Sequence, residues 1–470
     1  AVYGIEGPPQ GHYYVNTDTD EVVKSESAYA RPQPHACFIL DIKDDLVNEG
    51  GIMDLVTREA RLFKYGSGTG TNFSKIRAAK ENLSGGGVSS GLLSFLKIAD
   101  RSAAAVKSGG TTRRAAKMVI LDADHPDIEP FVTWKAEEEY KVACLSAGSA
   151  VLRRYADTMK QAVDGFGAAG EKAFSFTENG ALRKAVKDAL AAGIPSAWIH
   201  QVLSMYRHSG EIVDLPQYDT AWESEAYNTV SGQSSNNSVR VDNAFMKAVA
   251  EDGDWDLKGR TTGAVMKTIK ARKLWDRIAR SAWQCADPGL QYHSTVNEWH
   301  TCLADGEIKA SNPCSEYMFL DDTACNLASL NLLSFYDASS GNFDDEGYRH
   351  AIRLWTTVLE ISVVMAQFPS KEIARRSYDY RTLGLGYANL GSLMMVMGLA
   401  YDSDEGRAVA AALSAILTGE AYAQSARMAE AWGTFNRYAA NADTMLRVVR
   451  NHRRAAYDAK PEEYEGLTIT

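Results

Sequence analysis

No stretch of this chain approaches the roughly 18 consecutive apolar residues that a membrane-spanning helix needs. Its first residues, Ala1-Val-Tyr-Gly-Ile-Glu-Gly-Pro-Pro9, carry no basic segment followed by an apolar one, so they are no secretory leader. No Met opens the chain, and the expectation is that it begins inside a longer protein. Cysteine is sparse. Cys37, Cys144, Cys285, Cys302, Cys314 and Cys325 are dispersed, with no C-x-x-C pair. That argues against a disulfide framework, gives zinc little support and leaves no metal site to expect. Positive charge is not in surplus either. Lys and Arg total 50 against 60 Asp and Glu, for a net charge of −10, so direct nucleic-acid binding is not expected. A nucleotide could still be held by local donors and helix N-termini. A cytoplasmic protein with no membrane association is the expectation. Internal repeats and low-complexity tracts are missing too.

What is present is an ordinary globular composition, 45% hydrophobic and 23% charged over 470 residues. Residues 1–34 are polar and turn-rich and read as loop or edge structure. Ala36 to Ile42 reads as a buried strand, and Gly51 to Tyr65 has helical spacing. Gly66-Ser-Gly-Thr-Gly-Thr-Asn72 reads as a glycine-rich turn, with Ser84 to Gly87 and Ser108 to Arg114 as further loops. Lys117 to Leu121 is a strand, and Asp124 to Asp127 opens a helix. This alternation favours an α/β architecture. Residues 150–230 look like a mostly helical insertion. Lys267 to Trp283 is a predicted helix. Glu346 to Gln367 is apolar on nearly all sides, which predicts a buried helix ended by Phe368-Pro369.

Asn312-Pro-Cys-Ser-Glu316, with Cys325 further on, is the stretch that carries chemistry. In an extended segment Asn312, Cys314 and Glu316 would face one way and offer a substrate an amide, a sulfur and a base. A lone Cys-Ser-Glu also fits core packing, and Asn-Pro opens many turns. Read alone, Cys37 is a core strand residue. Cys144, Cys285 and Cys302 read as packing residues. Gly66 to Asn72 lacks the spacing of a dinucleotide fingerprint and the Lys of a P-loop, although its backbone amides could hold oxygens.

The run Asn312-Pro-Cys-Ser-Glu-Tyr-Met-Phe-Leu320, then Thr323-Ala-Cys-Asn-Leu-Ala-Ser-Leu-Asn-Leu332, resembles the active-site finger loop of ribonucleotide reductases, most closely the adenosylcobalamin-dependent kind. The resemblance implies a ten-stranded α/β barrel with a finger loop at its centre. Residues 1–470 would form one catalytic barrel domain, incomplete at the C-terminus, with the insertion at about 150–230. It implies reduction of ribonucleotides to 2′-deoxyribonucleotides by a thiyl-radical route. Cys314 would be the thiyl, Glu316 the base on the 3′-hydroxyl and Asn312 the partner of the sugar hydroxyls. Cys325 matches one reducing thiol. His35-Ala-Cys-Phe-Ile39 matches the family segment that carries the other, which makes it Cys37. These two must then approach within about 7 Å between Cα atoms. Ala36, Gly68, Thr69, Asn72, Pro313 and Ser315 would line the substrate.

By the same resemblance, Gly86 and Gly87, with Gly109, Gly110, Arg113, Arg114 and Lys117, belong to loops through which a deoxynucleoside triphosphate effector selects the base. A tight turn at 66–72 and a solvated basic loop at 108–117 are the competing readings. The implied cofactor is adenosylcobalamin. The implied partners are a ribonucleotide, the effector, a thioredoxin-like or dithiol reductant, and a homodimer or a complementary C-terminal chain. Family members extend beyond both ends, with a phosphate-binding loop and a C-terminal cysteine pair expected after Thr470. A second reading therefore stands beside the first: a non-catalytic nucleotide-binding remnant, or one half of a split reductase.

Overall fold

The computed structural model describes residues 7–106, 115–167, 170–212, 215–221 and 223–468. The chain divides into two compact units. One is made by the residues up to Val132 together with those from Ser234 on, and the other is Thr133–Gln233.

The larger unit is built on a curled seven-stranded sheet. Its strands are β1 (His35–Ile39), β2 (Gly68–Asn72), β3 (Ala116–Asp122), β4 (Ser235–Val241), β5 (Gly289–Tyr292), β6 (Thr323–Asn331) and β7 (Leu383–Ala388). Their order across the sheet is β7-β6-β1-β2-β3-β4-β5. Strands β1 to β5 are mutually parallel and β6 and β7 are parallel to each other. The two blocks meet antiparallel at β1 and β6. Continuous apolar runs such as Met118-Val-Ile-Leu121 suit a sheet buried on both faces. Met118 and Ile120 point into a cluster with Cys37, Ile39 and Cys325, while Lys117 points the other way, towards α1 (Ile52–Lys64). The described residues form seven strands of this sheet, where the resemblance implied ten.

Three local expectations change. Gly66 to Asn72 is mostly strand β2, because its Gly-Thr-Gly-Thr alternation has the two-residue period of a strand. The predicted helix from Lys267 begins only at Ala271 and runs to Cys285. Before it, Val265–Lys270 pairs with Asp254–Lys258 as an exposed hairpin. Helix Asp345–Met365 packs Ile352, Leu359 and Val363 inward, yet Leu354, Trp355, Val358, Ile361 and Met365 are 40–54% exposed. It is therefore not buried all round.

In the smaller unit, the end of helix Ile128–Asp164 packs with helices Gly180–Ala191 and Ser196–Ser209. Their shared core includes Ala156, Met159, Leu182, Ala185, Ile199 and Val202. Asn179 caps the middle helix by accepting from the Leu182 amide at 2.9 Å. The first helix of this unit begins before it, at Ile128, and the unit itself runs over Thr133–Gln233. Among the described residues no helix is long and apolar enough to cross a membrane.

Candidate active site

Cys37 on β1 and Cys325 on β6 are direct cross-strand partners. Opposed residues of an antiparallel pair lie about 4.5–5.5 Å apart between Cα atoms, inside the range a disulfide spans. Both thiols are free and buried. Just beyond them the register slips, so that Asn326 pairs with His35 and Ala36 is the extra residue of a bulge. Bulges bend a strand and re-aim its side chains. Here Ala36 packs with Cys37 against the inner cluster, while the His35 ring lies 4.9 Å from that of Phe368.

Burial, helped by the Glu316 carboxylate, pushes the Cys37 thiol up to about 12. Burial, helped by Cys37, also raises Cys325. Both therefore hold their protons at neutral pH.

A short hairpin crosses the face of the sheet in front of this pair. Ala310–Ser311 pairs with Met318–Phe319, and Asn312 to Tyr317 form the tip. The tip is a tight turn rather than the extended run the residue spacing suggested. The Asn312 carbonyl accepts from the Ser315 amide at 3.2 Å and its side-chain oxygen accepts from the Tyr317 amide at 3.0 Å. Ser315 takes a left-handed φ of 65°. The turn brings two of the three expected residues, Asn312 and Glu316, to the Cys37 thiol. Asn312 Nδ2 donates to Cys37 Sγ at 3.0 Å, and the Cys37 thiol donates to Glu316 Oε1 at 3.5 Å. Cys314 stands exposed between them in the sequence.

The hairpin can lie this close because β2 has no side chains beneath it. A Cβ added to Gly70 would meet the Ser311 oxygen at 1.6 Å, and one on Gly68 would meet Pro313 Cγ at 2.7 Å. Gly68 thus sits under the tip, and Pro313 closes over it. On the other side, a Cβ on Gly384 of β7 would come within 2.8 Å of Cys325 Sγ. Gly70 and Gly384 were missed from sequence. The available signal was glycine at every second position of a strand, which marks a close approach.

Tyr317, also missed, is buried beneath the tip. Its hydroxyl donates to Thr323 Oγ1 at 2.8 Å and lies 3.1 Å from Thr382 Oγ1, tying the hairpin to β6 and to the start of β7. Asn236 donates to the Pro313 carbonyl at 2.9 Å. Ser315 Oγ lies 3.3 Å from Ser311 Oγ.

Other sequence-selected residues lie elsewhere. Asn72 is at the hairpin stem, donating to the Lys309 carbonyl and to Asp122, both at 3.0 Å. Thr69 faces away from the hairpin and donates to Glu59 Oε1 at 3.2 Å. Lys117 lies in strand β3, as its apolar run predicts, and not in the loop that the resemblance assigned it to. It is 1% exposed and pairs with the same Glu59 oxygen at 2.5 Å. Gly86 and Gly87 take φ of 89° and 86° in an exposed turn closed by the Leu83 amide and the Gly87 carbonyl. Gly109, Gly110, Arg113 and Arg114 lie outside the described residues. Cys302 is buried in the inner cluster and Cys285 is half-buried. Cys144 is exposed on a helix, so it is not the packing residue expected.

Comparisons with known proteins bear on what such a site is. A family model described as the barrel domain of ribonucleotide reductase matches residues 35–467. The vitamin B12-dependent ribonucleotide reductase of Agrobacterium fabrum is 58% identical over 467 residues, covering 99% of this chain and 37% of that protein. Its namesake in Streptomyces coelicolor is 40% identical over 463 residues, covering 94% of this chain and 40% of that protein. The vitamin B12-dependent ribonucleoside-diphosphate reductase of Mycobacterium tuberculosis H37Rv is 29% identical over 402 residues, covering 85% of this chain and 43% of that protein. The chain spans less than half the length of these relatives. With the model matched over nearly all of its residues, this chain belongs to the ribonucleotide reductase family and carries that family's barrel domain.

Proposed function

We infer that this chain is the catalytic barrel of an adenosylcobalamin-dependent ribonucleotide reductase. It converts ribonucleotides to 2′-deoxyribonucleotides for DNA synthesis, by a thiyl radical at Cys314. The observation that carries the reading is the convergence of Asn312, Glu316, Cys37 and Cys325 beneath a hairpin whose exposed tip bears Cys314. In this reading the seven strands belong to a ten-stranded barrel and the hairpin is its finger loop. The meeting of two parallel blocks in antiparallel sense at the thiol pair supports it.

The chemistry follows from what each group can do. Hydroxide is a poor leaving group, so direct displacement at C2′ is slow. A Cys314 thiyl takes the 3′-hydrogen atom and becomes a thiol. Glu316 accepts the 3′-hydroxyl proton, and Asn312 holds the sugar hydroxyls. The 2′-hydroxyl leaves as water with a proton from the buried pair. Cys37 carries the proton this step needs, since burial keeps it protonated. Cys37 and Cys325 supply two electrons and close to a disulfide, and the hydrogen atom returns to C3′ from Cys314. One ribonucleotide and two thiols give one deoxyribonucleotide, one disulfide and one water.

The cofactor reading is supported by the relatives' names and by one feature of the site. Cys314 is exposed while Cys37 and Cys325 are buried, so Cys314 is the thiol that a bulky radical source would reach. Bound adenosylcobalamin supplies the radical equivalent that Cys314 needs. A thioredoxin-like protein or a small dithiol then reopens the disulfide. The turn at Gly86 and Gly87, together with Gly109, Gly110, Arg113 and Arg114, is assigned to an effector site formed in a homodimer.

The test is anaerobic incubation of the full-length protein with mixed ribonucleotides, adenosylcobalamin and a dithiol. Deoxynucleotide product is the predicted result. Tight nucleotide binding without product would favour the non-catalytic reading instead.

A further inference from the structure

Arg240 is an unusual occupant of the end of β4. It is 4% exposed, and each of the acceptors named here is neutral. Nε donates to His293 Nδ1 at 3.0 Å, Nη1 donates to Gln291 Oε1 at 3.3 Å, and Nη2 donates to the Ile308 carbonyl at the base of the hairpin. Burying a guanidinium is costly unless its donors are met. The arrangement meets them with groups that lead to the hairpin.

The bonds form an ordered line. Arginine has donors only, so the Gln291 oxygen must face Arg240 and its amide nitrogen must face away. That nitrogen donates to Ser311 Oγ at 2.8 Å. With its lone pair so used, the Ser311 hydroxyl donates to the Asn312 carbonyl at 2.9 Å. Asn312 is the residue whose Nδ2 meets Cys37 Sγ at 3.0 Å. A second grip holds the same stem. Asn297 Oδ1 accepts from the Ile308 amide at 2.8 Å and its Nδ2 donates to the Ile308 carbonyl at 3.1 Å.

We propose that Arg240, through the directed line Gln291–Ser311–Asn312, is a positioning residue that sets the hairpin tip over the Cys37 thiol. The proposal rests on reading the tip as the carrier of the reacting thiol. Among the bonds named here, the line meets the thiol pair at its end, where Asn312 reaches Cys37. Its effect is on where the tip sits. An arginine serves where a lysine would not, because one planar group must reach three acceptors in fixed directions.

The informative variant is Gln291→Glu. It is isosteric and gives Arg240 an anionic partner, so it keeps the fold. A carboxylate only accepts, so the Ser311 hydroxyl is drawn to it and the bond to the Asn312 carbonyl is lost. Amide hydrogen exchange in the full-length protein reads the result without substrate or cofactor. Failure of the proposal is therefore distinct from failure of the reductase reading. The Ser315 and Tyr317 amides, which donate to Asn312, should exchange about 3- to 10-fold faster, the range set by loss of one hydrogen bond. Alkylation of exposed Cys314 should change relative to exposed Cys144. Arg240→Lys should give the same local signature. Unchanged exchange at the tip in both variants would overturn the proposal. So would an equal rise across the whole sheet, which is the mark of a merely structural role.

Discussion

Cys37 and Cys325 face each other across the single antiparallel junction of the sheet, buried, free and within bridging range. That relationship predicts a specific disulfide. Mild oxidation of the unliganded protein should join Cys37 to Cys325 and leave Cys302 reduced, as read by peptide mapping after thiol trapping. A different pairing, or none, would remove the dithiol from the account.

The same burial predicts how Cys37 reacts. Its folded pKa is pushed up to about 12, so raising the pH from 7 to 9 produces little thiolate. In the unfolded chain a thiol ionises near 8.5. Iodoacetamide capture of Cys37 at pH 9 should be at least ~10-fold slower in the folded protein than in urea, since the thiolate is the nucleophile. The raised pKa also means that Cys37's contribution to stability is present below pH 9 and falls as pH rises towards 12.

Gly70→Ala tests whether the hairpin needs bare backbone beneath it. The added methyl would overlap the Ser311 oxygen, and backbone cannot give way as a flexible side chain does. The stability loss should be about 1–3 kcal/mol, the usual cost of overpacking, with loss of the Cys37–Asn312 contact. Urea unfolding and hydrogen exchange at 310–319 check it. Wild-type stability with an unmoved hairpin would contradict the close approach.

His35 predicts an acid limb. Burial lowers its pKa from the ordinary 6.5 to about 3. The unfolded chain therefore takes up a proton first as pH falls. Stability should decline from pH 6.5 towards 3, at about 1.4 kcal/mol per pH unit from this group. His35→Phe, which retains the packing on Phe368 and Phe38, should flatten that limb in unfolding curves at pH 6.5 and 5.

Lys117→Met leaves Glu59 buried with only Thr69 as donor among the partners described. Breaking a buried pair costs about 3–5 kcal/mol. Adding Glu59→Leu should recover much of it, because the lone buried charge is then gone. Additive losses in the double variant would contradict the pairing.

Legibility from sequence was uneven for physical reasons. Asn312, Cys314, Glu316 and Cys325 are close in the chain, and Cys37 sits in a short apolar strand, so local text carried them. Their convergence is long-range and came only through resemblance. Lys117 opened a strand by its apolar run and belonged to a basic loop only by the resemblance; strand alternation buries it against Glu59. Gly66 to Asn72 was read as a turn because glycine usually breaks structure. Here every second glycine makes room for another backbone. Arg240 and Gln291 stood in segments that resemble the family's but carried no role beyond shaping the pocket, and Ser311 gave no signal, since a hydrogen-bond line between distant strands leaves no local period. The exposed stripe on Asp345–Met365 shows the limit of composition, because apolar residues do not say what covers them.

The most direct test of the central claim is anaerobic ribonucleotide reduction by the full-length protein with adenosylcobalamin and a dithiol, comparing wild type, Cys314→Ser and Cys144→Ser. The account predicts product from wild type and from Cys144→Ser. It predicts none from Cys314→Ser, whose thermal unfolding should stay near wild type because one exposed sulfur becomes oxygen. Deoxynucleotide formed by Cys314→Ser at the wild-type rate would contradict the assignment of the radical to the hairpin tip.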